Sequence, residues 1–252
     1  MSVVTSSEAI HGSCVTKQAP ADIVLSVIVP VYNESKTIVG VVERLRATKI
    51  PMEIVIVDDG SSDATSEKMA ALSDLPEVEG FRHETNLGKG AAVRTGIEKS
   101  TGDFIVVQDA DQEYSPEDLS KLLQPLFDGK ADVVYGTRYG GNGRRLYGFW
   151  HQAANAFITF LASAVIGIRF SDIETCYKMA SREHYMAVLK ELKESRFGIE
   201  IELTAKWARM GLRFAECPIS YYPRWYDEGK KIGWRDGVSA LRCIVKYGLF
   251  NF

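Results

Sequence analysis

The chain has 252 residues, 46% of them hydrophobic and 25% charged, with a formal net charge of −3. This composition excludes a collagen-like, disordered or disulfide-stapled description of the whole, and the slightly acidic balance argues against a general nucleic-acid binder. The four cysteines (Cys14, Cys176, Cys217 and Cys243) lie far apart with no C-x-x-C pair, so the chain offers no zinc knuckle and reads as a reduced, cytoplasmic protein.

Residues 1–22 carry one Lys and no apolar core of a signal peptide, which predicts a flexible tail. Leu25 to Val29 is a short apolar run closed by Pro30, and Glu53 to Val57 is another, closed by Asp58-Asp59-Gly60. Both read as buried parallel strands. Between them Ile38, Val41, Val42 and Leu45 recur at helical spacing. A second helix is expected after Ser61-Ser62-Asp63, a third strand before Asn86, and a third helix from Gly90 to Ser100. Phe104 to Gln108 reads as a strand, and Ser115-Pro116-Glu117-Asp118 as a helix start with Ser as N-cap. Asp132 to Gly136 is one more strand.

Strands separated by single helices predict right-handed βαβ units and a mostly parallel sheet covered on both faces. Beyond Gly136 the alternation stops, and helices with one strand near Phe214 are expected. Trp150 and Trp207 read as core, and His151 and His184 as ordinary surface or core histidines. The longest apolar run, Ala153 to Ile166, is interrupted by Asn155, Thr159 and Ser163 and falls short of the roughly 18–20 residues of a spanning helix.

In open α/β sheets ligands bind beyond the carboxyl ends of the strands. There the chain places Pro30-Val-Tyr32-Asn33-Glu34, Asp58-Asp59-Gly60-Ser61 and Asp109-Ala110-Asp111-Gln112-Glu113. Such residues serve as turn formers and N-caps, but three acidic clusters on one rim are costly without a cation, and hard oxygen ligands suit Mg²⁺ or Mn²⁺ shared with phosphates.

Tyr32-Asn33-Glu34, Val57 to Asp63, Asn86-Leu-Gly88-Lys89-Gly90 and Asp109-Ala110-Asp111, in that order, resemble family 2 glycosyltransferases of the GT-A, Rossmann-like fold. With Gly136-Thr137-Arg138-Tyr139 and Glu216 to Arg224 followed by Lys230-Lys231, the chain is similar to dolichyl- or polyprenyl-phosphate hexose synthases within that family. The resemblance implies one domain over residues 23–252, with a nucleotide-sugar half (23–136) and an acceptor half (137–252). It implies that Pro30, Tyr32, Glu34, Val57, Asp59, Lys89, Asp109 and Ala110 hold the nucleotide sugar, and that Asp109, Asp111 and Glu113 hold the metal. Glu113 departs from the Gln of the mannose synthases. The run Asn86 to Gly96 is closer to the UDP-glucose-using branch than to the GDP-mannose branch.

A lipid phosphate monoester is already dianionic at neutral pH, its second pKa being about 6 by analogy with phosphorylated side chains. It needs cationic clamps rather than a base, for which Arg138, Arg144, Arg145 and Arg224 are candidates, with Lys230 beside them. A saccharide hydroxyl would instead need Asp172 or Glu174 as base. Catalysis is therefore expected to rest on Asp111, Arg138, Arg224 and Lys230. From Arg224 to Lys246 six Lys/Arg face three Asp/Glu, interleaved with Trp225, Tyr226 and Trp234. This pattern reads either as a solvated helix face or as a segment in peripheral contact with a membrane surface. A nucleotidyltransferase would carry a Gly-rich loop after the first strand, which is absent here. A non-catalytic nucleotide-sugar sensor stands as the alternative of another class.

Overall fold

The computed structural model describes residues 23–140, 149–224 and 234–250. The tail 1–22, Arg144, Arg145, Trp225, Tyr226, Lys230 and Lys231 lie outside them. Seven strands form one mixed sheet: β1 (Leu25–Val31), β2 (Met52–Asp58), β3 (Val78–Arg82), β4 (Phe104–Val107), β5 (Val133–Thr137), β6 (Lys178–Ser181) and β7 (Phe214–Pro218). The order is β3-β2-β1-β4-β6-β5-β7. The helices are α1 (Ile38–Ala47), α2 (Thr65–Leu72), α3 (Lys89–Lys99), α4 (Leu119–Phe127), α5 (Phe149–Ile166), α6 (Arg182–Leu189), α7 (Ile199–Arg209) and α8 (Trp234–Cys243), the last continued by a π-helical turn, Ile244–Leu249.

β1 is central because its apolar run has cover on both faces. Leu25, Val27, Ile28, Val29 and Val31 are all buried, each contributing about 1.5–3 kcal/mol by the usual transfer scale. It pairs in parallel with β2 on one side and β4 on the other, so three strand ends open onto one rim. The two halves expected from the sequence share this sheet, since β7 pairs with β5.

The sheet is mostly parallel, as expected, with one strand the sequence did not announce: β6 lies antiparallel between β4 and β5, placing Met179 beside both Val106 and Val134. Its four residues begin at a lysine and carry too little alternation to register as a strand. Ser115 takes the expected N-cap position before Pro116. Pro116–Asp118 forms a single 3-10 turn before α4 with no capping bond from Ser115, whose Oγ instead accepts from Arg44 Nη2 at 3.2 Å.

Candidate active site

The rim begins where β1 and β2 end side by side, with Pro30 and Val57 as register partners. Asn33 holds a left-handed backbone (φ +51°), which asparagine tolerates better than most residues. Its backbone N–H donates to Ser61 Oγ (2.9 Å), and its Oδ1 accepts from the Ser62 N–H (2.8 Å). The two loops are thus stitched together. Asp58 is a turn former: fully buried, it accepts from the Ser61 N–H at 2.9 Å. Asp59, expected to read the nucleotide, is also buried, and accepts from the N–H groups of Leu87 (2.9 Å) and Gly88 (2.7 Å) while bonding His83 Nδ1 (2.8 Å). It braces the turn before α3. Val57 and Ala110 are buried as well, which leaves Tyr32 as the exposed side chain of this group.

The Gly88-Lys89-Gly90 run serves close packing. A Cβ at Gly88 would stand 2.3 Å from the Ser195 carbonyl oxygen, and one at Gly90 2.3 Å from that of Glu194. Gly88 also has a φ of +99°. These glycines admit the 194–196 backbone against the start of α3, which fixes Lys89. Lys89 Nζ meets Asp109 Oδ1 at 2.7 Å and Glu200 Oε1 at 3.3 Å. Burial opposes its charge, but Asp109 and Glu200 outweigh burial and hold the ammonium well above its ordinary pKa. The other oxygen of Glu200 meets Lys178 Nζ at 2.9 Å, and Lys178 also donates to the carbonyls of Ile173 (2.7 Å) and Thr175 (2.6 Å). A chain of alternating charges thus runs from Asp109 through Lys89 and Glu200 to Lys178.

Asp109 to Glu113 follow β4. Burial, then the neighbouring carboxylates of Asp109 and Glu113, push the Asp111 carboxyl up to about 8. Arg224 arrives from the opposite end of the chain: its Nη2 lies 2.9 Å from Glu34 Oε1 and 3.7 Å from Asp111 Oδ2. Glu113 is engaged elsewhere, with Oε1 accepting from the Arg224 N–H at 2.8 Å and Oε2 from the Tyr221 hydroxyl. Asp109 and Asp111 face Lys89 at 2.7 Å and Arg224 at 3.7 Å. Among the described residues no group of three or more His, Cys, Asp or Glu is arranged to hold a metal ion. Two carboxylates in excess of their cations suit a divalent ion completed by phosphate oxygens, and in this respect the residues fit one.

Arg138 lies over the Tyr221 ring, 5.3 Å from its centroid. Its Nε and Nη2 each donate to Asp172 at 2.7 Å, the carboxylate being fully buried. Against the cost of burial, the guanidinium holds Asp172 below the usual carboxylate range. Both oxygens of Asp172 are engaged, by this fork and by Asn155 Nδ2 at 3.2 Å. Burial pushes Glu174 up to about 7. The sequence reading missed Lys178, Glu200 and Tyr221. A signal existed for the second: Glu200 and Glu202 sit two apart in Ile199-Glu-Ile-Glu-Leu203, about 200° around a helix, so both cannot face water.

The chain matches the family model described as Glycosyl transferase family 2 over residues 26–189. It is 29% identical to an undecaprenyl-phosphate mannosyltransferase of Micrococcus luteus, over 88% of this chain and 93% of that one. It is likewise 29% identical to a polyprenol monophosphomannose synthase of Mycolicibacterium smegmatis, over 88% and 86%. Among solved structures, glucosyl-3-phosphoglycerate synthase of Mycobacterium tuberculosis, in complex with Mn²⁺, uridine diphosphate and phosphoglyceric acid, superimposes with a TM-score of 0.70. That match covers 92% of this chain and 81% of the other at 21% identity, and it establishes the GT-A fold. With the model match spanning most of the sheet and the carboxylates of β4, the chain belongs to glycosyl transferase family 2 and is a glycosyltransferase.

Proposed function

We propose that this enzyme transfers a hexosyl group, with inversion and with a divalent cation, from a nucleotide sugar to polyprenyl phosphate. The observation that carries the reading is the Asp109–Asp111 pair at the end of β4, flanked by Lys89 and Arg224. Asp109 and Asp111 would hold Mg²⁺ or Mn²⁺, which when bound would offset the charge building on the departing diphosphate. Lys89, kept charged by its carboxylate neighbours, and Arg224, between Glu34 and Asp111, add preorganised positive charge on the same side. Tyr32 and Pro30 would border the nucleotide.

The acceptor phosphate needs cationic donors and no proton acceptor. The described geometry accords with this, because Asp172 is locked by Arg138 while Arg138 Nη1 makes no hydrogen bond among the described residues. The names of the two relatives matched over most of their length support a polyprenyl phosphate acceptor and favour mannose as the transferred sugar. UDP-glucose is the second reading. It rests on the run Asn86 to Gly96, but the glycines in that run answer to the 194–196 backbone and carry less information about the donor.

A lipid acceptor would place the reaction at a bilayer surface in peripheral contact. Among the described residues no helix is long and apolar enough to cross a membrane. Phe157 and Phe160 of α5 and Val245, Leu249 and Phe250 near the end of the chain are exposed, which supports an interfacial apolar face. Of the basic residues after Arg224, Arg242 and Lys246 are paired with Glu194 at 3.0 and 3.2 Å, so the excess positive charge there is smaller than the sequence suggests.

The test is transfer from GDP-mannose and from UDP-glucose, with Mn²⁺, to a short-chain polyprenyl phosphate. Lipid-linked product is expected, with a rate that rises through the acceptor ionisation at about pH 6. Product formed on a saccharide hydroxyl alone would refute the lipid-phosphate reading. Calorimetry with UDP and GDP assigns the nucleotide, a tenfold preference being about 1.4 kcal/mol.

A further inference from the structure

Of the consecutive residues 172 to 180, Glu174 alone is not fully buried. Its neighbours on either side, Ile173 and Thr175, are closed in, and the Thr175 hydroxyl donates to the Gly136 carbonyl. Two residues on, Cys176 is anchored to the end of β4: its backbone N–H donates to the Tyr114 hydroxyl (3.0 Å) and its Sγ lies 3.3 Å from the Val107 carbonyl oxygen. The 172–178 segment is therefore pinned beside Asp109, with Glu174 at the point where it reaches the surface. One oxygen of that carboxyl, Oε1, is shut away from solvent and has no hydrogen-bond partner. A buried acceptor left unmade costs about 1–3 kcal/mol, more when charged, a cost that a hydrogen bond donated by a bound substrate would recover.

The charged groups around Glu174 define what that substrate part is. Lys178, whose Nζ holds the carbonyls of Ile173 and Thr175 on either side of Glu174, continues through Glu200 and Lys89 to Asp109, where the donor diphosphate is proposed to lie; Asp172, two residues before Glu174, holds Arg138, assigned above to the acceptor. In a transfer from diphosphate to acceptor phosphate, the group between the two is the hexose itself. Hexose hydroxyls are hydrogen-bond donors, and an unpaired carboxylate oxygen accepts from them. We propose that Glu174 is a specificity-determining residue that receives a hydrogen bond from a hydroxyl of the donor hexose. This rests on the nucleotide-sugar reading above, but not on the identity of the acceptor.

The experiment compares the wild type, Glu174→Ala and Glu174→Gln. The donor is whichever of GDP-mannose and UDP-glucose the wild type turns over, used alongside its monodeoxy analogues and its free nucleoside diphosphate. In the wild type, removal of one particular hydroxyl should lower kcat/KM about 10- to 100-fold, the range for a bond to a charged group. Glu174→Ala should bring the parent donor down to that level and lower the same deoxy donor no further. Glu174→Gln, which keeps an acceptor without the charge, should fall between. Affinity for the nucleoside diphosphate alone should stay within twofold in all three. An equal loss with every deoxy donor, or a matching loss of nucleoside diphosphate affinity, would mean a structural role and overturn the proposal. So would an alanine variant as active as wild type. Should polyprenyl phosphate prove not to be the acceptor, the same cycle is read on donor affinity relative to nucleoside diphosphate affinity. Failure of the acceptor reading is then distinct from failure of this one.

Discussion

Glu174 also makes a stability prediction whose sign follows from its surroundings. Its carboxyl has an ordinary pKa of 4.5 and is pushed up to about 7 in the folded chain, first by burial and then by Glu200, with Lys178 acting in the opposite direction. Below about pH 4.5 the group is protonated in both folded and unfolded chains and contributes no difference. Between pH 4.5 and 7 the unfolded chain releases the proton while the folded chain keeps it, so stability falls as pH rises. At 1.36 kcal/mol per pH unit the loss reaches about 3 kcal/mol by pH 7–8, a ceiling because the residue is not wholly shut from water. Glu174→Gln removes the titration. Denaturant unfolding of variant and wild type from pH 4.5 to 8 should give nearly equal stabilities at the acid end and a variant more stable by about 1–3 kcal/mol at pH 8. Subtracting the two curves cancels the other carboxylates, Asp111 among them. A flat difference curve, or one in which the variant loses ground as pH rises, would refute the assigned environment of Glu174.

Asp111→Asn should lower turnover by more than tenfold while leaving the far-UV spectrum and cooperative unfolding intact; retention of over a tenth of the rate, a loss under about 1.4 kcal/mol, would remove Asp111 from the chemistry. Gly90→Ala sets a Cβ 2.3 Å from the Glu194 carbonyl oxygen and should destabilise by about 1–3 kcal/mol, visible as a lower Tm, with no effect expected if the 194–196 contact is absent in solution. Arg138→Ala leaves Asp172 buried and unpaired and should cost about 3–5 kcal/mol, much of it regained in the double variant with Asp172→Asn; strict additivity in that cycle would contradict the fork.

The alternation of apolar runs and helical spacing made the β1-β2-β4 core and its rim legible, because strands covered on both faces leave an unbroken hydrophobic signature. Strand β6 was not legible. Its four residues gain their strand geometry from two neighbours rather than from their own pattern, and its first residue is a lysine whose charge is answered by Glu200 on α7. The position of the candidate carboxylates was legible where they follow a strand end directly, as Asp109 and Asp111 follow β4. The site was opaque where a role depends on a distant partner. Nothing near Asp59 in sequence shows that its carboxylate is spent on the Leu87 and Gly88 amides, and nothing near Glu113 anticipates Tyr221 and Arg224, more than a hundred residues away. Glycines were read by spacing alone, which could not reveal that Gly88 and Gly90 make room for a backbone from the second half of the chain.

The balance of charge across the site bears on why a cation fits there. Seven carboxyl groups, Glu34, Asp109, Asp111, Glu113, Asp172, Glu174 and Glu200, meet four cations, Lys89, Arg138, Lys178 and Arg224. Every one of those cations is already paired, so the group as a whole carries an excess of negative charge. The excess shows in two carboxyls that hold their protons above the usual range, Asp111 at about 8 and Glu174 at about 7. An anionic donor entering alone would deepen the imbalance and drive both further toward the protonated form. On the proposed reading, Asp109 and Asp111 would hold a divalent cation entering with the donor, which would favour their ionised forms and let Lys89 and Arg224 turn from these carboxylates toward the diphosphate.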